Sequence, residues 1–170
     1  MRTKKNTSGI RIGTKPRDMR WKSADGQEWA SEFEWKVYDA YRTAKAPVRR
    51  TNKADSLSYA LPVNRATCAT CGGTEINQLG RHYTPDLFYD AGDGGSSGDS
   101  YFIEVKGYLR APQRTLLRAF CKARKDTNLR FIYQRNFHVS KSTTIGEWTS
   151  RFLKRPWAIW NGKPVEKWNG

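Results

Sequence analysis

The chain has 170 residues, enough to close one hydrophobic core. Its 31 Lys and Arg against 16 Asp and Glu leave a net charge of +15, an excess that points to a polyanionic partner such as nucleic acid. An anionic membrane is the weaker partner, because there is no long apolar run, no signal-peptide core and no basic amphipathic anchor; the expectation is a soluble, cytosolic chain, and its three Cys and two His make no disulfide framework.

Residues 1–22 (MRTKKNTSGIRIGTKPRDMRWK) are basic and carry no apolar period. They read as a mobile arm that tracks phosphates, with an inert terminus as the alternative. The folded domain is expected over residues 23–170.

Residues 25–45 read as a helix, with Asp25 and Glu28 spaced as a capping box. At about 100° per residue, Trp29, Ala30, Phe33, Val37, Tyr38 and Tyr41 share one half of the wheel. Glu34 falls inside that apolar arc, where a carboxylate is costly without a partner. It is either a site residue or a structural ion pair at the edge of the arc.

Residues 46–81 look loop-like apart from LSYALP, a short strand. Cys68 and Cys71 follow as C-x-x-C-G-G. Residues 82–90 and 101–107 read as paired strands joined by the flexible AGDGGSSGDS. The aspartates of that connection do not match a calcium-loop spacing.

Residues 112–125 read as a second helix, with Pro112 in its first turn. Leu116, Leu117, Phe120, Cys121 and Ala123 would form the apolar face. Arg114, Arg118, Lys122 and Lys125, with Arg110 just upstream, would grip a phosphate backbone or simply face solvent. LRFIYQRN (129–136) is a third strand. Thr144 and Glu147 open a C-terminal helix through about Lys154. The tail WAIWNGKPVEKW has a turn at Asn161-Gly162, and its three Trp are expected mainly to cover the core. This order of elements indicates an α/β fold with a mixed sheet flanked by helices.

The chemistry concentrates in RHYTPDLFYD and YFIEVKGYLR. Asp86 ends one strand, while Glu104 and Lys106 share one face of another because side chains two apart in a strand point the same way. Two carboxylates suit a hard divalent cation such as Mg²⁺, with the Val105 carbonyl as a further ligand and Glu34 able to complete a second metal position. Lys106 would orient the nucleophile or stabilise charge at phosphorus. A strand-borne ion pair is the structural alternative.

The P-D…E-x-K pattern resembles the PD-(D/E)xK nuclease superfamily. More narrowly, SEFEWKV, LSYALP, HYTPDLFY, FIEVKGYL and TTIGEW resemble, in the same order, motifs of the phage T7 endonuclease I family of junction-resolving enzymes. The resemblance covers roughly residues 25–155 as short ordered matches, of which TPD…EVKG is the most specific. It implies a restriction-endonuclease-like fold in a segment-exchanged homodimer, with Glu34, Asp86, Glu104 and Lys106 as catalytic residues. It also implies a Mg²⁺-dependent enzyme, with Mn²⁺ as a substitute, that cuts branched double-stranded DNA by paired nicks. Such a protein would be phage-encoded, absent from the virion and active in the cytoplasm of a bacterial host. In the exchanged dimer, Glu34 of one subunit would complete the site of the other.

The chain departs from that family over residues 63–82, an insertion that carries Cys68 and Cys71. Zinc needs about four ligands, so one chain falls short. Two C-x-x-C pairs meeting across a dimer axis would supply four thiolates; otherwise these are free thiols in a turn. The competing functions are another PD-(D/E)xK nuclease, restriction-like or a repair nicking enzyme, and a basic DNA-binding protein that does no chemistry.

Overall fold

The computed structural model describes residues 21–67, 74–92 and 99–170. Residues 1–20, Cys68 and Cys71 lie outside this set, so the proposed arm and the thiol pair are outside it too.

The chain folds as a mixed α/β structure around a five-stranded sheet. In chain order the sheet strands are β3 (Val48–Arg50), β6 (Leu87–Tyr89), β7 (Tyr101–Lys106), β8 (Leu129–Tyr133) and β11 (Trp157–Ile159). Their spatial order is β11-β8-β7-β6-β3. The three strands β7, β8 and β11 run parallel, while β6 is antiparallel to both β7 and β3. The parallel steps need crossovers, and the helix α2 (Ala111–Ala123) supplies the one from β7 to β8.

Alternation along β7 separates two cores. Tyr101, Ile103 and Val105 pack with Phe33, Val37 and Tyr41 of α1 (Glu32–Thr43). Phe102 points the other way, toward Leu117 and Phe120 of α2 and Phe131 and Tyr133 of β8. Glu104 and Lys106 share the Phe102 face by the same period of two.

The first helix starts later than the sequence pattern suggests. Asp25 is not its cap; instead Trp21–Lys22 (β1) pairs antiparallel with Glu28–Trp29 (β2). Residues 21 and 22 therefore belong to the fold rather than to the arm. Ser31 is the N-cap, its hydroxyl accepting from the Glu34 N–H at 3.2 Å. Asp25 ties this hairpin to α1, accepting from the Tyr38 hydroxyl at 2.6 Å and pairing with Arg42 at 3.2 Å. Burial works against its charge, but the hydrogen bonds from Ser23, Tyr38 and Gln27 outweigh it and hold the carboxyl well below the usual range.

The segment that reads as mostly loop is a long antiparallel hairpin, β4 (Leu57–Thr67) with β5 (Thr74–Tyr83). Residues 63–67 and 74–82 belong to that strand pair. The base of the hairpin lies on α2, with Tyr59 edge-on to Phe120 and Tyr83 tilted against it at 4.5 Å. A second small hairpin joins β9 (His138–Ser140) to β10 (Thr143–Thr144).

The Thr144–Glu147 capping box is present and opens α3 (Ile145–Trp148), which continues as one turn of π-helix over Thr149–Leu153. Gly146 is required there, since a Cβ would collide with the Trp157 ring. The tail adds β11, which periodicity does not reveal because three residues are too few to show a period. Its Trp residues do cover the core: Trp160 and Trp168 pack on the α1 side and Trp157 on the α2 side. Gly162 takes the positive φ that the Asn161-Gly162 turn demands.

Candidate active site at the end of strand β7

The site forms where β6 begins and β7 ends. Thr51, just past β3, anchors the approach to Asp86: its N–H donates to the Asp86 carbonyl at 3.2 Å and its hydroxyl donates to the Pro85 carbonyl. Asp86 Oδ2 then accepts from the Val105 N–H at 2.8 Å and from Lys106 Nζ at 3.3 Å. A side chain thereby continues the β6–β7 ladder one step past its last main-chain pair. Lys106 Nζ also pairs closely with Glu104 Oε1. The three residues singled out in the sequence are one connected cluster.

Glu104 is 2% exposed, and its Oε2 has no hydrogen-bond partner. Burial, and then the neighbouring Asp86 charge, push its carboxyl up to about 7 against the pull of Lys106. Burial opposes the charge on Lys106, but Glu104 and Asp86 outweigh it and raise the ammonium above its usual value. The Tyr83 hydroxyl faces Glu104 closely enough to favour its charged form, although the pair is too loose for a well-formed hydrogen bond. Burial and the two carboxylates push that phenol well up. The hydroxyl is the natural donor to the Glu104 carboxylate, and a small shift of either side chain, or a bound ligand, would satisfy both atoms.

Glu34 sits at the N-terminal end of α1, half-buried. Burial raises its carboxyl, as does Asp86, while Lys106 and Arg50 pull it back. It therefore feels the Asp86–Lys106 cluster of its own chain. Asp86 and Glu104 line a cavity of about 310 Å³, which also takes in His82, Tyr83 and Leu116. Glu34 lines a neighbouring cavity of about 460 Å³. Lys106 and Gln113 line both.

Among the described residues, no three His, Cys, Asp or Glu side chains converge as a ready metal cluster. Two carboxylates are nevertheless a sufficient protein contribution for Mg²⁺, which keeps several waters and takes further oxygens from substrate phosphates. The unpartnered Glu104 oxygen fits that role, and Asp86 would be the second ligand.

The basic stripe on α2 is only partly free. Arg110, Lys122 and Lys125 are exposed. Arg114 is half-buried and donates to the Leu109 carbonyl at 2.9 Å. Arg118 lies over the Phe152 ring at 4.9 Å. Leu116, expected on the apolar face, is 47% exposed, and Ala123 is exposed as well. Both His82 and His138 are at the surface.

Sequence reasoning missed Thr51, Tyr83 and Gln113. Tyr83 stands three residues before Asp86 in HYTPD, but only the docking of the hairpin on α2 turns it toward Glu104. No family model, curated protein or solved structure matches this chain.

Proposed function

We propose that this chain is a Mg²⁺-dependent endodeoxyribonuclease that resolves four-way and other branched DNA junctions by paired phosphodiester hydrolysis. The observation that carries the chemistry is the Asp86–Lys106–Glu104 cluster with its buried, unpartnered Glu104 oxygen, in a chain of net charge +15. The branch specificity and the T7 endonuclease I family rest on the ordered motif resemblance. On this reading the five-stranded sheet is a restriction-endonuclease-like core.

Asp86 and Glu104 would hold the cation, with the Val105 carbonyl as a further ligand and Glu34 at the margin. Bound there, Mg²⁺ supplies polarisation of the phosphoryl group and a more acidic water. Asp86 is kept in place by the Val105 N–H. Glu104 acts as a ligand in its charged form, which burial and Asp86 disfavour and Lys106 supports. Lys106 places a fixed positive charge where negative charge grows on the phosphoryl oxygens. Hydrolysis leaves 5′-phosphate and 3′-hydroxyl ends.

Paired nicks call for two sites, so the active form is proposed to be a homodimer. Its exchange of segments is tested by refolding Glu34→Ala and Glu104→Ala chains together. Recovered activity in mixed dimers supports exchange. No recovery puts each site within one chain. Among the described residues, no helix is long and apolar enough to cross a membrane. A nuclease of this class would work in the cytoplasm of a bacterial host.

The test compares Mg²⁺-dependent cleavage of a labelled four-way junction and a matched linear duplex. Symmetric nicks near the branch with little duplex cutting are expected. Equal cutting of both retains the nuclease and removes the branch specificity. Folded protein that binds DNA in a salt-dependent way but cuts neither is a binding module.

A further inference from the structure

Arg50 ends β3 on the α1 side of the sheet. Its antiparallel partner across the ladder is Leu87, buried in the α1-side core, and cross-strand partners share a face. The guanidinium lies over the ring of Trp29, with Cζ 5.0 Å from the centroid, and Trp29 is 2% exposed. A flat support of this kind restricts a flexible arginine to one direction while leaving its N–H edges free.

Two features bring Arg50 to the margin of the site, on the sheet face opposite Glu104 and Lys106. Leu87 is the residue after Asp86, and Thr51, the residue after Arg50, donates its N–H to the Asp86 carbonyl. Arg50 is also close enough to Glu34 to favour its charged form. Yet Arg50 is exposed and makes no ion pair among the described residues. The contrast with its neighbour is sharp: both nitrogens of the Arg49 fork are taken by Asp55 at 2.7 Å.

A nuclease needs cations where the substrate backbone passes its acidic centre, and Lys106 is already engaged by both carboxylates. Helix α2 serves the Glu104 and Lys106 face of the sheet, where its Arg114 is half-buried and donates to the Leu109 carbonyl. We propose that Arg50 is a phosphate-binding residue that grips a DNA backbone phosphate adjacent to the cleaved one, on the α1 side of the site. This rests on the nuclease reading and adds to it a contact on the face that the basic helix does not serve. A guanidinium gives two parallel hydrogen bonds to phosphate, so the contact sets the register of the strand as well as its affinity.

The experiment uses the full chain and a junction whose backbone phosphates are replaced, one at a time, by neutral methylphosphonates on either side of the nick. Arg50→Ala should lower kcat/KM on unmodified DNA by roughly 10- to 100-fold, with Arg50→Lys restoring part of it. The salt slope of binding should fall by about one. At one substituted position near the nick, wild-type protein should lose a similar factor while Arg50→Ala loses nothing further. Arg49→Ala should show no such masking at any position. An unchanged thermal midpoint in Arg50→Ala separates the contact from a role in folding. Independent, multiplicative losses at every position would overturn the Arg50 contact while leaving the nuclease intact. Absence of any Mg²⁺-dependent cleavage by wild-type protein would instead overturn the nuclease reading, and this contact with it.

Discussion

Strand β7 has two faces built from alternate residues, and they do opposite things. Tyr101, Ile103 and Val105 enter a dry core against α1, with Ile103 at 0% and Val105 at 1% exposure. One residue over, Glu104 puts a carboxylate into nearly as deep a position, paired with the half-buried ammonium of Lys106. The first face stabilises the fold by removing apolar surface from water. The second leaves a buried oxygen without a partner, which costs free energy in the isolated protein. The same strand supplies rigidity on one side and unused binding capacity on the other, an arrangement expected of a site mounted on a rigid scaffold.

Four measurements test that division, from the largest expected effect to the smallest. Lys106→Met should lower cleavage on the order of 10²–10³-fold, as loss of a charge-stabilising group does. Its urea midpoint should move little, because Glu104 can take up a proton in place of its lost partner. A large fall in stability would make Lys106 a structural ion-pair residue. On the dry face, Ile103→Ala should cost about 2–5 kcal/mol in urea unfolding and leave the cleavage rate of the folded fraction near wild type. An equal loss of both would show that the two faces are not separable.

Tyr83→Phe removes the hydroxyl that faces Glu104. Because the contact with Glu104 is loose, the variant should stay within about 1 kcal/mol of wild type, and a larger loss would mean that the hydroxyl is a full hydrogen-bond donor to Glu104. The last effect is a slope with pH. The Glu104 carboxyl is raised from an ordinary 4.5 to about 7 by burial and Asp86, so between those values the folded state binds more protons than the unfolded one. Stability of the metal-free protein should therefore fall as pH rises through that window. Urea midpoints at either end should show the slope, and Glu104→Gln should flatten it.

Much of the architecture is legible in the sequence where the signal is local. The strand over 101–107, the helix over 112–125 and the Thr144 capping box match the structure within a few residues. The period of two is enough to place Glu104 and Lys106 on one face. Misreadings arise where short-range patterns compete. Asp25 and Glu28 have the spacing of a cap, but Asp25 is drawn to Tyr38 and Arg42, leaving Ser31 to start the helix. The hairpin of β4 and β5 reads largely as loop because its second strand carries polar and glycine residues with weak alternation. Arg50, in a three-residue strand, leaves no pattern at all.

By itself, the sequence determined the charge of the molecule, the mixed α/β character and the identity of the paired carboxylates and lysine, since these follow from composition and from periods spanning neighbouring residues. Tertiary structure decided what surrounds them. The docking of the hairpin on α2 brings Tyr83 to Glu104, the β3–β6 ladder brings Thr51 and Arg50 to Asp86, and the packing of α1 brings Glu34 within reach of Lys106. Those neighbours are distant in the chain, and the free energy that selects them comes from burying surfaces no local window contains.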